Sequence, residues 1–311
     1  MIGSLAGAAI GAGGTIGLAG DVYTKGVSGY WQIIGWNIGW LMLVFMAKRL
    51  WSTGASSVVD VFGKSCGKTT RLAAALACLV FSVPALSTQL IGLGNMFKVV
   101  FSVAGIDLDY KIFVTISCVI MVFAVFKGGL YSSAYSGTFN FFILAVVFVI
   151  CLPIFTCVAA GGASQAITNI EILPASFKDL FAGVSVSATL LAIVKYCFTA
   201  GSNIAYVNNT LAAKDAKTAR NGSIGGIISY FIIPGIIMVC TLVLINVFPN
   251  LENPSSVLTF SFLNIFPPVI RGLSVIALIA VVLSTATIWV QNSGKIFGSD
   301  IYAHVKKNVT D

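Results

Sequence analysis

Residues 224–248 read IGGIISYFIIPGIIMVCTLVLINVF, a stretch that contains no charged side chain. A bilayer core of about 30 Å is crossed by a helix of about 20 apolar residues, so this stretch is long enough to span a membrane. The rest of the chain has the same character, because 58% of its 311 residues are hydrophobic and only 9% are charged. Soluble proteins carry about 25% charged residues. The composition therefore excludes a soluble enzyme and predicts an all-α polytopic membrane protein.

Eight segments of the chain are apolar and long enough, or nearly so, to be transmembrane helices. None of them shows the strict alternation that a β-barrel strand requires. The fourth segment is short and the first is rich in glycine, whereas the third must tilt or extend beyond the lipid. The predicted spans are Met1–Gly20, Tyr30–Met46, Leu72–Val103, Ile112–Phe126, Phe139–Ala160, Phe181–Tyr206, Ile224–Phe248 and Val269–Val290.

The positive charges predict how these spans are oriented. With a cytoplasmic N-terminus, twelve lysines and arginines fall in inner loops and five in outer loops, while the acidic residues lean outward. Positive charge collects in cytoplasmic loops, so we expect both termini in the cytoplasm and the chain in the plasma membrane, with the lipid bilayer as its partner.

The charged residues indicate neither a nucleic acid nor a nucleotide as a partner. The basic residues form no stripe with interleaved aromatics, so a nucleic acid is not expected. Residues 63–69 (GKSCGKT) mimic a phosphate-binding loop, but they are one residue short between the glycines and follow no strand, so a nucleotide is not expected either.

The first segment contains a cluster of glycines, in the stretch GSLAGAAIGAGGT at residues 3–15. Each glycine costs about 1 kcal/mol relative to alanine inside a helix. One interpretation is that these small residues let helices pack closely. The other is that the helix breaks at Gly11–Gly14 and its freed backbone groups line a site at the middle of the membrane, as in transporters.

The last segment places two hydroxyls beside a carbonyl. Ser284 and Thr285 follow Val281 by three and four residues, so the three share one helix face. Such hydroxyls often bond back to their own helix. Alternatively, the converging oxygens suit a hard monovalent cation.

Lys195 lies near the centre of the sixth segment, about 17 Å of helix from either end. A charge at that depth is a candidate functional residue. The alternative is that a break at Thr199–Ser202 gives this lysine access to water as a structural charge. Buried amides such as Gln89 are interpreted as contacts between helices rather than as ligands.

Four stretches taken together resemble the sodium:solute symporter family. They are residues 17–31 (GLAGDVYTKGVSGYW), residues 127–130 (KGGL), residues 208–220 (NNTLAAKDAKTAR), and Ser284–Thr285 followed by residues 300–302 (DIY). The matches occur in the order found in the family and extend over nearly the whole chain.

The resemblance implies the LeuT-like fold of ten core helices in two inverted repeats. Residues 1–311 are then one transmembrane domain, with the first five-helix repeat in 1–160 and three helices of the second repeat in 181–290. Core helices one to eight are expected here and the last two are missing, so the chain is expected to be a fragment of a longer protein.

The resemblance also implies the residues of two sites. Carried over by position, one Na⁺ ion would bind the carbonyls of Gly7, Ile10 and Val281 and the hydroxyls of Ser284 and Thr285. The substrate cavity would lie near the breaks in helices one and six, beside Gly11, Gly14, Lys195, Tyr196 and Thr199. Many members of the family have an aspartate where this chain reads YSG at residues 135–137, so one coupled ion is expected and no second.

The function implied is sodium-coupled symport of a small organic solute by alternating access. Lys195 suggests the hypothesis that this solute carries an anionic group such as a carboxylate. Two alternatives stay open, namely a transporter-like sensor module that does not transport, and a proton-coupled or uniport carrier. An enzyme is not expected, because the single histidine, His304, lies in the C-terminal tail and the membrane segments contain no paired carboxylates.

Overall fold

A computed structural model of the protein describes residues 10–126, 130–182 and 184–302, without the side chains of residues 124–137 and Ser299. Gly7, residues 127–129 and His304 therefore lie outside the described residues. Within these ranges the regular secondary structure is entirely helical. By length and composition, six helical stretches could cross a membrane: Gly13–Ser52, Lys68–Val103, Thr138–Ala159, Val186–Leu211, Ala216–Val247 and Pro268–Tyr302.

Each of the eight predicted segments has helical residues within the described ranges. The stretch Gly13–Ser52 includes the first two, which a 3₁₀ turn at Gly26–Tyr30 separates. Gly26 has a φ of 65°, and a Cβ atom at this position would collide with the main chain of Phe177, so the turn requires glycine. The fourth predicted segment is a shorter apolar helix, Tyr110–Phe123.

The α-helices are numbered along the chain, and short π- and 3₁₀-helices connect or extend them. The α-helices are α1 (Leu18–Lys25), α2 (Trp31–Ser52), α3 (Val58–Cys66), α4 (Lys68–Val103), α5 (Tyr110–Phe126), α6 (Leu130–Ala145), α7 (Leu152–Ala159), α8 (Ala163–Glu171), α9 (Ala175–Lys178), α10 (Val186–Gly201), α11 (Ile204–Leu211), α12 (Ala216–Val247), α13 (Val257–Ile265) and α14 (Pro268–Lys295). The π-helices are Gly13–Gly17, Val146–Cys151 and Ile296–Tyr302, and a second 3₁₀ turn is Pro254–Ser256.

Several predicted boundaries were wrong by about one to three turns, because hydropathy ends a segment at charged or polar residues, such as Arg71 or residues 291–294 (QNSG), and a helix does not. The third span begins at Lys68 rather than Leu72, and the last continues to Tyr302 rather than Val290. The sixth is shifted along the chain to Val186–Leu211. Lysine and arginine side chains at such ends reach the aqueous interface while the backbone continues its hydrogen bonding.

The long helices form two groups. In the first group, α2 packs against both α10 and α12, and α1 packs on α12. In the second group, α4 packs against α5 and α14, and α14 packs against α6. The π-helix Gly13–Gly17 contacts α4 on one side and α12 on the other, so the start of the first helix lies between the two groups.

Small residues bring α2 and α10 into close contact. Gly35 and Gly39 are one helical turn apart on α2, and a Cβ at Gly35 would lie 3.0 Å from the Ile193 Cα atom. At Gly39 a Cβ would collide with the backbone of Cys197. Glycines at this spacing let two helices in a membrane approach until their backbones touch. The pair therefore fixes α10 on α2.

In the second group, an ion pair between Arg71 and Asp300 joins the start of α4 to the end of the last span. Arg71 donates from Nε and from one terminal nitrogen to Asp300 Oδ1, at 2.9 and 2.6 Å, and the Asp300 side chain is only 2% exposed. Asn208 of α11 donates to Asn292 of α14 at 2.7 Å. These contacts connect α4, α11 and α14 near their ends.

Candidate functional site

Within the described residues, the first segment becomes helical only at Gly13, inside the Gly11–Gly14 stretch where a break was predicted, and we call residues 10–12 the first break. Residues 10–12 are not helical, and the chain then enters the π-helix Gly13–Gly17 before α1 begins. Three of the backbone groups at residues 10–12 have hydrogen-bond partners. The Ala12 N–H donates to Gln89 Oε1 at 3.0 Å, the Gly11 carbonyl accepts from Thr15 Oγ1 at 3.0 Å, and the Ala12 carbonyl accepts from Gly17 N–H at 2.8 Å.

Close packing is present at the same place, so the two interpretations of the glycine cluster are not exclusive. A Cβ atom at Gly92 of α4 would lie 2.7 Å from the Ala12 Cβ atom. Gly92 follows Gln89 by three residues, on the same face of α4. Because Gly92 lets α4 approach closely, the Gln89 amide reaches the Ala12 N–H.

The break also meets α14. A Cβ atom at Gly11 would lie 2.9 Å from Thr285 Cγ2 and 3.0 Å from both Thr285 Oγ1 and Gln89 Oε1. Three segments, the broken first helix, α4 and α14, thus come together around Gly11. Ser284 and Thr285 are buried, with exposed fractions of 6% and 5%.

Both hydroxyls of α14 bond back to their own helix. Ser284 Oγ donates to the Val281 carbonyl at 2.9 Å and Thr285 Oγ1 donates to the same carbonyl at 3.1 Å. A hydroxyl group that donates its proton keeps the lone pairs of its oxygen. These lone pairs can coordinate a cation. Asn140 of α6 donates to the neighbouring Ala280 carbonyl at 3.1 Å and ties α6 to this turn of α14.

Four of the five predicted ion ligands lie within the described residues. Ile10 is fully buried, and its carbonyl makes no hydrogen bond to any described residue. It precedes Gly11, which approaches Thr285. No group of three or more His, Cys, Asp or Glu side chains that could hold a metal occurs among the described residues. Neutral oxygens are therefore the donors that this region offers.

On its other side the break contacts an aromatic cluster in the first helix group. A Cβ at Gly14 would lie 3.0 Å from the Tyr230 hydroxyl. Tyr230 lies 6.1 Å from Trp36 and 5.9 Å from Trp40, measured between ring centroids, and Trp40 stacks on Tyr206 at 4.6 Å. The sequence analysis did not name these four rings. One signal could have indicated them. Trp36 and Trp40 are four residues apart and therefore lie on one face of α2.

The three predicted substrate residues of the sixth span lie apart from Gly11. Lys195, Tyr196 and Thr199 are on α10, which packs mainly on α2. Lys195 is exposed, its Nζ atom lies 5.0 Å from the centroid of the Tyr196 ring, and its carbonyl accepts from Thr199 Oγ1 at 2.7 Å. Tyr196 lies 6.1 Å from Trp36, so the aromatic cluster connects these residues to Gly14.

The sixth span is broken too. α10 ends at Gly201, beside the predicted Thr199–Ser202 window, and α11 begins at Ile204. Asn203 caps α11 by accepting the Ala205 N–H at 2.9 Å, and Ser202 Oγ donates back to the Phe198 carbonyl at 2.7 Å.

The described residues form a helical bundle in which the sixth span is interrupted after Gly201 and the non-helical residues 10–12 lead into a helix between two helix groups. This is the architecture of a secondary transporter in a membrane. The comparison with known proteins agrees with this class. A model of the sodium:solute symporter family matches residues 2–311. The chain belongs to the sodium:solute symporter family, whose members are transporters and not enzymes.

Two individual proteins are similar to the chain. The high-affinity proline transporter PutP of Bacillus subtilis (strain 168) is 28% identical over 182 residues, which cover 55% of this chain and 37% of the transporter. The structure of a Na⁺-coupled sialic acid symporter in a substrate-bound, outward-open state superposes with a TM-score of 0.81 at 15% identity, covering 99% of this chain and 66% of that one. The chain thus spans about a third of the one relative and about two thirds of the other. The superposition supports the LeuT-like fold.

Proposed function

We propose that the protein takes part in sodium-coupled symport of a small organic solute by alternating access. The observation that carries this proposal is the meeting of the broken first helix with α14, where Gly11 approaches Thr285. Membership of the family supports the same function. The two repeats predicted for residues 1–160 and 181–290, and their inverted relation, are part of the proposal.

One Na⁺ ion would bind between the two segments. Its ligands would be the carbonyls of Gly7, Ile10 and Val281 and the hydroxyls of Ser284 and Thr285. Five neutral oxygens can replace most of the hydration shell of a sodium ion. Among the described residues, the atoms nearest a Cβ at Gly11 or Gly14 belong to Gln89, Thr285 and Tyr230, none of which is a carboxylate or a histidine. These neutral neighbours favour Na⁺ over a proton as the coupled ion.

The position of the break between two helix groups supplies a mechanism. The proposed ligands come from the first helix and from α14, so the ion binds tightly only while these segments are close. A ligand shifts a conformational equilibrium by its difference in affinity for the two states. Rocking of one helix group against the other would separate the ligands, release the ion and expose the solute to the other side.

The solute would bind beside the two breaks, near Gly11, Gly14, Tyr196 and Thr199, and we propose that it carries an anionic group. The proline and sialic acid of the relatives' names share a carboxylate. Lys195 would attract that group, and the row of rings from Tyr196 to Tyr230 connects the lysine to the break. Replacing Lys195 by methionine should raise KM for a carboxylate solute at least about tenfold more than for its uncharged amide.

Both termini are proposed to face the cytoplasm of a plasma membrane, as the positive charges indicate. Cys66 is exposed at the end of α3, in a proposed inner loop. A membrane-impermeant maleimide added to intact cells should label it only after the membrane is permeabilised. Labelling of Cys66 in intact cells would reverse the orientation.

The experiment that tests the function is uptake of radiolabelled L-proline by the complete protein in vesicles, with an inward Na⁺ gradient or with K⁺ in its place. Uptake should require the Na⁺ gradient and should fall strongly in Ser284→Ala. Uptake that is indifferent to both the gradient and the substitution would refute sodium coupling through this site.

A further inference from the structure

Gln89 occupies a distinctive place beside the break. It lies in the middle of α4, is 6% exposed, and accepts a hydrogen bond from the main chain of a segment 77 residues away. Among the described residues, it is the side chain on another helix that satisfies a backbone group released at residues 10–12. A polar side chain at that depth in a membrane is expensive unless its hydrogen bonds are made.

The contact determines which way the amide group of Gln89 faces. Oxygen and nitrogen of a glutamine amide are assigned from their hydrogen-bond partners. The Ala12 N–H can only donate, so the atom that faces it at 3.0 Å must be Oε1. The amide nitrogen, with its two donors, must therefore face elsewhere.

The two ends of this amide have different surroundings. Oε1 lies beside Gly11, where it shares the space next to the glycine with Thr285 Oγ1. Nε2 makes no hydrogen bond to any described residue. Nε2 is not among the completely buried side-chain atoms that lack a partner, so it borders open space between the helices. A donor that borders such a space can bond to an acceptor oxygen that enters it during the working cycle.

We propose that Gln89 joins the ion site to the solute site, an inference that rests on the proposed function. Oε1 positions the broken first helix so that the carbonyls around Gly11 face α14 and the ion. Nε2 donates to an acceptor oxygen of the solute, a carbonyl or carboxylate. Gln89 is thus a positioning residue for the ion and a specificity-determining residue for the solute.

Two substitutions separate the two roles. Gln89→Glu keeps an acceptor for the Ala12 N–H and removes the donors. Gln89→Leu removes both functions at similar volume. Thr88→Val is the matched control, because Thr88 is the preceding residue, is exposed, and bonds only to the Pro84 carbonyl of its own helix.

The complete protein is reconstituted in vesicles, and two quantities are measured for each variant: the Na⁺ concentration for half-maximal L-proline uptake, and KM for L-proline at saturating Na⁺. Gln89→Glu keeps the acceptor and adds a negative charge beside the ion, so it should not raise the Na⁺ half-saturation. Loss of the donors, together with repulsion of the solute carboxylate, should raise KM at least about tenfold. Gln89→Leu should raise both at least about tenfold. Thr88→Val should change neither beyond about twofold.

An unchanged KM in Gln89→Glu would contradict the donor role of Nε2. An unchanged Na⁺ half-saturation in Gln89→Leu would contradict the positioning role of Oε1. Either result overturns the proposal. If Gln89→Leu fails to fold, Gln89→Glu alone decides, because a purely structural glutamine would give equal changes in both quantities. Failure of the proposed function is recognised separately, as wild-type uptake that needs no Na⁺.

Discussion

The two predicted breaks, at residues 10–12 and after Gly201, satisfy their backbone groups in different ways. At the second break, Asn203 and Ser202 bond to groups two and four residues away, so the interruption is closed by its own segment. At the first break, the Gly11 and Ala12 carbonyls accept from their own segment, but the Ala12 N–H is bonded by α4 and the adjacent Gly11 touches α14. A self-capped break can persist whatever its neighbours do. A break that depends on other helices keeps its geometry only while those helices are in place, which makes the first one suited to report and control helix movement.

The largest expected effect comes from filling the space at the first break. Gly11→Ala places a methyl group about 3 Å from Thr285 and Gln89, which displaces groups that the proposed ion needs. A misplacement of about 1 Å can cost about 100-fold, so the Na⁺ concentration for half-maximal uptake should rise at least about tenfold. Gly13→Ala is the matched control, because a Cβ there has no atom within 4 Å among the described residues.

The Gly13→Ala control should stay within about twofold of wild type. If Gly11→Ala and Gly13→Ala behave alike, the first break would not be constrained by α14 as the contacts indicate, and the difference between the two breaks would lose its functional meaning.

The second prediction concerns the contact that places Gln89. Gly92→Ala brings two methyl carbons to about 2.7 Å, and the helices must separate. Overpacking of this kind costs about 1–3 kcal/mol, so the melting temperature of the purified protein should fall. Gly272→Ala in α14 meets open space among the described residues and should be neutral or stabilising. A Gly92→Ala protein as stable as Gly272→Ala would contradict the close approach.

The third prediction tests the self-capped break. Asn203→Ala removes the acceptor for the Ala205 N–H, and loss of such a cap costs about 1 kcal/mol. Thermal stability should fall, while the Na⁺ half-saturation should stay within about twofold because the proposed ion site is elsewhere. Asn203→Ser should restore stability, since serine is also a good cap. A large rise in Na⁺ half-saturation would show that the second break, too, controls the ion.

The smallest effect is expected at a half-buried cap of the same type. Asp215 caps α12, and the hydrogen bond from the Thr218 N–H at 2.6 Å lowers the pKa of its carboxyl below the ordinary 3.8. Because the folded pKa is depressed, the stabilisation is present above the unfolded pKa and is lost as pH falls through the folded value. The melting temperature of wild type minus that of Asp215→Asn should therefore decrease between pH 7 and pH 3. A difference independent of pH would contradict this assignment.

The sequence predicted much of the first break but not its partners. Five glycines in residues 3–15 and the pair Ser284–Thr285 carry local signals, since backbone flexibility and helix periodicity depend on neighbours in the chain. The Gln89 contact depends on how α4 lies across a segment 77 residues distant, and nothing in the local sequence encodes that. Gln89 was predicted only as a contact between helices. The hydrogen bond from the Ala12 N–H confirms that contact.

Helix ends were harder to predict for a related reason. Lys68 and Arg71 are in the first turn of α4, where a hydropathy profile has already excluded them. The partner of Arg71 is Asp300, far away in the chain, and the pairing decides that both ends stay helical. The aromatic cluster around Trp36 likewise depends on three helices packing together and has no sequence period of its own.

The most direct test of the account is equilibrium binding of ²²Na⁺ to the complete, purified protein without solute. Wild type should bind one ion per molecule saturably, and Ser284→Ala combined with Thr285→Val should raise the dissociation constant at least about 30-fold, equivalent to about 2 kcal/mol. Ser293→Ala, which removes another serine of α14 that bonds back to its own helix, should bind as wild type does. Saturable binding of equal affinity in all three proteins would contradict an ion site between the first helix and α14.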